Sequence, residues 1–275
     1  FSDQLALRRE ITRLAEEGKL NADQLTYAGP IKPAEALYDT ANDPWQVKNL
    51  AGDPALRPVL ERMRHALRAW QLESRDLGLI HEGQAEKMVT DGRSLIEVTR
   101  TGAAYPLERV LDTAWRIGQP GETDEFIRRL GDRDPTVRYW AAIGLRVAGP
   151  ADAGADAPLQ RALADESAAV RIEAAGIRVA QWDDRAALRL LTDDLTGTDG
   201  PAAQQAARTL QLLGEKARPA IPALREALPR LPAAAEADYT RWSIISTLNR
   251  LTGEHQPILF EPPKPPPAPR QPPST

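Results

Sequence analysis

The chain has 275 residues, 42% of them apolar and 27% charged, which supplies enough apolar mass for a core in one or two domains. Acidic residues outnumber basic ones by 39 to 35, giving a net charge of −4, and this excludes a global attraction to nucleic acid or to an anionic membrane. With no cysteine, disulfides, thiolate metal sites and a cysteine nucleophile are excluded, and no apolar run is long enough to span a bilayer.

The low aromatic share and the Ala-, Arg- and Leu-rich stretches favour helix over strand. Leu7, Ile11, Leu14 and Ala15 at helical spacing predict an amphipathic helix over 2–17. Gly18 ends it, and Asn21 caps a short turn through Leu25. Gly29, Pro30 and Pro33 then force an extended approach to the stretch 34–50, AEALYDTANDPWQVKNL. That stretch predicts a strand, a turn and a helix start. Leu37 and Tyr38 form the apolar strand, and the polar residues 39–42 break it. Asp43 is placed to cap, Pro44 suits the first helical position, and Gln46 lies three after the cap, as in a capping box. Asp53 and Pro54 repeat the same punctuation. From there Leu56, Val59, Leu60, Met63, Leu67 and Trp70 follow a 3.6 period to about Leu72, with Arg57, Glu61, Arg62, Arg64 and Arg68 opposite. Each large apolar side chain on that stripe is worth roughly 1.5–3 kcal/mol if fully buried. The stripe therefore needs a covering surface: either part of it is uncovered in this chain, or residues 88–98 cover it. Residues 76–104, punctuated by Gly78, Gly83, Gly92 and Gly102, read as loop.

The segment around Leu37 resembles the conserved C-terminal stretch of the sulfatase family, E-L-Y-D-L-x-x-D-P-x-E-x-x-N-L-A. Leu37, Tyr38, Asp39, Asp43, Pro44, Asn49, Leu50 and Ala51 match it, while Thr40 replaces Leu and Gln46 replaces Glu. The resemblance covers about the first third of the chain and is nearest to sulfatases of the N-sulfoglucosamine sulfohydrolase kind. Further on, Asp76, Gly78 and Glu82 fit the family's D-x-G-x-x-P-E, with His81 standing where Pro is usual. The resemblance implies that the helix after Pro54 packs on a small antiparallel sheet containing the Leu37–Tyr38 strand, the other strands preceding Phe1. It also implies calcium and a formylglycine in the parent family. The C/S-x-P-x-R motif that is converted to formylglycine is not found here, and neither are the family's metal-ligating Asp pairs. Phe1 in place of Met, with a C-terminal signature reached by Leu50, reads as a chain clipped from a longer one.

From Pro106 the pattern becomes a run of helices. Asp134, Pro135, Val137 and Arg138 lead to Ala141, Ala142 and Leu145. Ser167, Val170 and Arg171 lead to Ala174, Ala175 and Arg178, so the Val-Arg pair returns after 33 residues. Weaker echoes carry Ala206, Ala207 and Leu210, then Arg241, Ile244, Ile245 and Leu248. Shorter helices are predicted between them over 125–130, 158–164, 185–195 and 221–228. Paired helices at this period suggest a solenoid, and the D-P-x-V-R-x-x-A-A pattern resembles HEAT repeats. The tail from Pro257, rich in PPKPPPAPRQPP, suits polyproline II or a linker.

No residue is assigned to a catalytic, cofactor-binding or metal-binding role. His65, His81 and His255 lack the spacing of a metal site and read as surface or satisfied side chains. Asp193 and Asp194 read as a solvated helix end, since Ca²⁺ wants six or more oxygens. Arg138, Arg171 and Arg241 read as an ion-pair ladder, with Asp134 four before Arg138, against the alternative of a basic ridge for an anionic glycan. Trp115, Trp140, Trp182 and Trp242 read as core or groove lining, against a sugar-stacking role.

The expected architecture is mainly α, a remnant of a small α+β sulfatase C-terminal subdomain followed by an α-solenoid of HEAT-like helix pairs. Its expected divisions are an incomplete sulfatase segment over 1–83, a linker over 84–104, repeats over 105–253 and a Pro-rich tail over 254–275. The expected role is the C-terminal part of a sulfatase acting on sulfated glycans by sulfuric ester or sulfamate hydrolysis. Its partners would be the missing N-terminal catalytic domain and a protein or glycan on the repeat surface, with no nucleic acid and no membrane span. The family implies a periplasmic or secreted setting. The alternative is a non-catalytic HEAT-repeat interaction scaffold. A HEAT-type DNA glycosylase is disfavoured by the acidic balance.

Overall fold

The computed structural model describes residues 5–29, 32–89, 92–100, 105–149, 153–232 and 238–254. The chain is mainly α-helical, and among the described residues there is no strand. The helices are α1 (Ala6–Glu16), α2 (Ala22–Ala28), α3 (Arg57–Ser74), α4 (Glu82–Met88), α5 (Leu95–Arg100), α6 (Leu107–Ala114), α7 (Thr123–Arg129), α8 (Pro135–Ala148), α9 (Asp156–Ala162), α10 (Ala168–Trp182), α11 (Arg185–Thr196), α12 (Gly200–Leu213), α13 (Ile221–Ala227) and α14 (Asp238–Thr252).

The second half stacks in two layers. The inner row runs α6, α8, α10, α12, α14, each helix packed on the next. The outer helices α7, α9, α11 and α13 each lie against the inner helix that follows or precedes them in the chain. Small residues make this close approach possible. Ala141 and Ala142, Ala174 and Ala175, and Ala206 and Ala207 are all fully buried where successive inner helices meet. Two glycines extend the same logic. A Cβ on Gly144 would sit 2.4 Å from the Phe126 ring, and one on Gly176 would sit 2.7 Å from Thr209 Cγ2. Leu145, Leu159, Ile172, Leu191, Leu210, Leu224 and Ile244 fill the remaining space with no more than 1% exposure.

Asp caps at inner and outer helix starts fix the register. Asp134 accepts from Thr136 N and Val137 N, Asp184 from Ala186 N and Ala187 N, and Asp199 from Ala202 N. Each satisfies amide groups that the helix itself leaves unbonded.

The first hundred residues are arranged differently. Asn21 and Gln24 form a capping box at α2, and Gly18 with φ 66° follows the end of α1 as predicted. The strand predicted at Leu37 and Tyr38 is an extended segment with no ladder. A strand needs a second backbone, and none of the described residues supplies one. One side chain takes that place: Asn49 accepts from Leu37 N at 2.9 Å and donates to Glu35 O at 3.1 Å, while Leu50 N donates to Leu37 O at 2.8 Å. The helix start predicted at Asp43 is a closed turn instead. Asp43 does cap, accepting from Val47 N and Lys48 N, but Gln46 sits at φ 53° and leaves helical geometry. The cap at Asp53 holds, accepting from Ala55 N ahead of α3.

The loop-like reading of 76–104 is also corrected. Residues 82–88 and 95–100 are helices α4 and α5. His81 caps α4 through Nδ1, which accepts from Gly83 N, and Ser94 with Glu97 forms a reciprocal cap at α5. The cover expected over α3 is not there. Met88 and Leu95 pack instead with Ile80, Tyr105, Val110 and Leu111. Of the α3 stripe only Leu60 is buried, and Met63, Leu67 and Trp70 stand 50–59% exposed.

Candidate functional site

Two features on the inner-helix side were weighed as chemistry from the sequence, and the structure separates them. The arginines at the repeat positions are structural. Arg138 grips Asp165 with two bonds, Nε to Oδ2 at 2.7 Å and Nη2 to Oδ1 at 2.8 Å, while Nη1 donates to Asp132 O and Arg133 O. One repeat on, Arg171 Nη1 donates to Asp165 O and Glu166 O, and Nη2 reaches Asp194 at 3.3 Å. Arg241 donates to Pro232 O at 2.8 Å. The ladder therefore runs between repeats, and Asp134, the expected partner of Arg138, is occupied as a helix cap. Desolvation pulls the Arg138 guanidinium down, but the bonds from Asp165 more than compensate and leave its pKa raised. Asp194 is the weaker partner. Burial raises its pKa against the pull of Arg171, and its Oδ2 is buried without a hydrogen bond. A second buried cluster joins Arg178 to Asp184 and Asp156, with the guanidinium 5.3 Å from the Trp182 ring.

The other candidates fall out as follows. Trp140 Nε1 donates to Leu79 O at 2.7 Å, and Trp115 Nε1 donates to Gln71 Oε1 at 3.2 Å, so both tie the first segment to the helical stack. Trp242 meets Tyr239 edge-on at 5.1 Å. His65 lies exposed on α3, beside a cleft of about 500 Å³ that it lines with Arg64, Arg68, Trp115 and Arg116. Those arginines are engaged, with Glu35, Asp112 and Glu122 respectively. His255 and the Pro-rich tail lie outside the described residues. Among the described residues no group of three or more His, Cys, Asp or Glu side chains could hold a metal ion. No helix among them is long and apolar enough to cross a membrane.

His81 lines a second cleft, between the first segment and the helical stack. Helix α4 docks on α10 and α12, close enough that a Cβ on Gly83 would meet Pro201 Cβ at 2.9 Å, with Lys87 paired to Asp199. This brings the His81 ring edge-on to Tyr139 at 5.0 Å, and Tyr139 edge-on to Trp140 at 5.6 Å. Burial lowers the His81 pKa, against opposing pulls from Glu82 and Asp199, so the ring is neutral and free to accept from Gly83 N. Between α4, α8, α10 and α12 lies a cleft of about 480 Å³, walled by His81, Tyr139, Arg146, Glu173, Gln205 and Arg208 among others. Arg146 is held by Glu173 at 3.0 Å, and Gln205 Nε2 donates to Ala169 O at 3.0 Å. Gln205 Oε1 is buried with no partner, a deficit of about 1–3 kcal/mol for a stranded acceptor. Burial pushes the Tyr139 hydroxyl up to about 12, so it stays protonated at neutral pH. Sequence reasoning missed Tyr139, Gln205 and Arg208. Tyr139 lies on α8 and the other two on α12, and only the packing of those helices against α10 and α4 brings them together.

Stacked helices with a polar cleft between them define a class of architecture rather than a chemistry. A more particular likeness comes from comparison. No protein-family model matches the chain. Over 99 residues, 36% of its length, it is 30% identical to an ulvan-active sulfatase of Formosa agariphila. Those residues are 17% of that protein, so the chain spans a small part of the relative's length. Part of the chain is thus similar to a sulfatase.

Proposed function

We propose that this chain is the C-terminal part of a sulfatase acting on sulfated glycans, carrying a HEAT-like helical extension that docks the substrate or a partner. The likeness to an ulvan-active sulfatase supports the family. The observation that carries the reading is the bare α3 face. Met63, Leu67 and Trp70 expose apolar surface along one helix, and Leu5, Leu7, Leu25, Tyr27 and Trp45 are exposed elsewhere in the same segment. A face of that kind is a packing surface. Its fitting occupant is the small antiparallel sheet of the parent's C-terminal subdomain, whose other strands would precede Phe1 and pair with the extended segment at Leu37. Covering those three α3 side chains alone would contribute several kcal/mol, at about 1.5–3 kcal/mol for each large apolar group.

In this reading the reaction belongs to the upstream region. The chain itself supplies a docking face and a rigid helical arm, and it turns over no sulfate ester alone. The test is the reading frame upstream of Phe1. A C/S-x-P-x-R motif in frame, with aryl sulfate hydrolysis by the extended product and none above a blank by this chain, is the expected result. A start codon and signal sequence directly before Phe1 would contradict it and leave a free-standing interaction scaffold. So would turnover by the chain alone.

A further inference from the structure

We infer that the cleft between α4, α8, α10 and α12 binds a saccharide bearing a sulfate group. The inference rests on the sulfatase reading for the class of ligand, but its groups come from the cleft alone. The cavity of about 480 Å³ lies within the ~300–1,000 Å³ usual for small-molecule sites.

Its polar groups are unevenly satisfied. Arg146 and Glu173 neutralise each other at 3.0 Å. Arg208 has no carboxylate partner, and its guanidinium donates only to the neutral Gln211 Oε1 at 2.6 Å. That leaves one exposed charge of each sign at the cleft, Arg208 to receive an anionic group and Glu82 to receive donors. The Gln205 side chain lines the cleft, with its Oε1 buried and without a partner. The Tyr139 hydroxyl, protonated at neutral pH, is an available donor and acceptor on the cleft wall. Glu82, exposed on the same wall and in no ion pair, is a further acceptor. Hydroxyl groups, which donate and accept at once, answer this set better than a bare anion does. The exposed Leu212 side chain lies beside these groups and offers an apolar patch to the C–H face of a sugar ring. The Arg138 and Arg171 guanidinia are consumed by the inter-repeat ladder, so the anion-binding role falls to Arg208 instead.

The test is ¹⁵N–¹H NMR of the full chain, titrated in turn with glucose 6-sulfate, galactose 6-sulfate, the two unsulfated hexoses and inorganic sulfate at millimolar concentration. The expected result is a shift of the Gln205 side-chain amide and the Arg208 Nε–H with at least one hexose sulfate. That shift should exceed the one produced by the matching hexose or by sulfate alone. Arg208→Gln should weaken the hexose sulfate by about tenfold, as expected for a lost charge-assisted bond, and Tyr139→Phe by a smaller factor with the fold intact by circular dichroism. No shift at these groups with either hexose sulfate would overturn the inference. So would equal shifts from inorganic sulfate, or affinity unchanged in both variants. None of these outcomes bears on the upstream motif, so the cleft can fail while the sulfatase reading stands.

Discussion

Residues 105–254 and residues 5–100 solve the same problem with opposite success. In the stacked helices, α8, α10 and α12 each have an inner neighbour on both sides and an outer helix against them, and their apolar faces are buried. In the first segment only Leu37, Leu60, Ile80 and Val98 are buried apolar residues, and eleven of the fifteen exposed large apolar side chains among the described residues lie there. Helix α1 is strongly amphipathic yet buries nothing, and its packing is against α2. The lesson is that amphipathicity states a demand and not its fulfilment. Each helix of the stack finds its cover in neighbouring helices of the same chain, whereas the first segment leaves its apolar face open among the described residues.

The largest way to sharpen that contrast is to break the ladder. Arg138→Ala leaves Asp165 buried without its partner, and unfolding of the helical stack should become easier by about 3–5 kcal/mol in urea titration. Next comes a matched pair of truncations. Leu191→Ala, at a fully buried site, should cost about 2–5 kcal/mol. Leu67→Ala, half-exposed on α3, should stay within about 0.5 kcal/mol in the same assay. If the two cost the same, the first segment has a core of its own. Asn49→Ala removes the bonds to Leu37 N, Glu35 O and Ala51 N. At about 1 kcal/mol for each net hydrogen bond, it should loosen 35–51 in proteolysis and leave the helical stack unchanged.

The smallest effect is a pH dependence at the junction. The folded His81 pKa is lowered below 6.5, chiefly by burial. The folded state therefore holds fewer protons than the unfolded one just below that value. The His81 contribution is complete above pH 6.5 and declines as pH falls toward the folded pKa. Urea titrations between pH 7 and pH 5 should show this decline, and His81→Gln should flatten it.

Much of the helical half was legible in the sequence. The Val-Arg and Ala-Ala recurrences placed α8 and α10, and the four shorter helices appear within about three residues of where periodicity set them. The ladder was legible as a position but not as a pairing. The rule that residues four apart interact pointed Arg138 to Asp134, while the packing of successive helices delivered Asp165. The strand at Leu37 was misread because a strand's existence depends on another backbone, which no local pattern reports. Helices α4 and α5 were missed because two turns are too short for a period to show, although the Ser94–Glu97 spacing was a usable sign. The cleft was not legible, since Tyr139 is far in sequence from Gln205 and Arg208 and all three are ordinary in type.

Amide hydrogen exchange on the intact chain tests the two-region account most directly. Amides of α8, α10 and α12 should exchange only with global unfolding, while those of α1, α2 and the middle of α3 exchange faster by orders of magnitude through local opening. Equal protection across both regions would contradict the claim that the first segment awaits a partner.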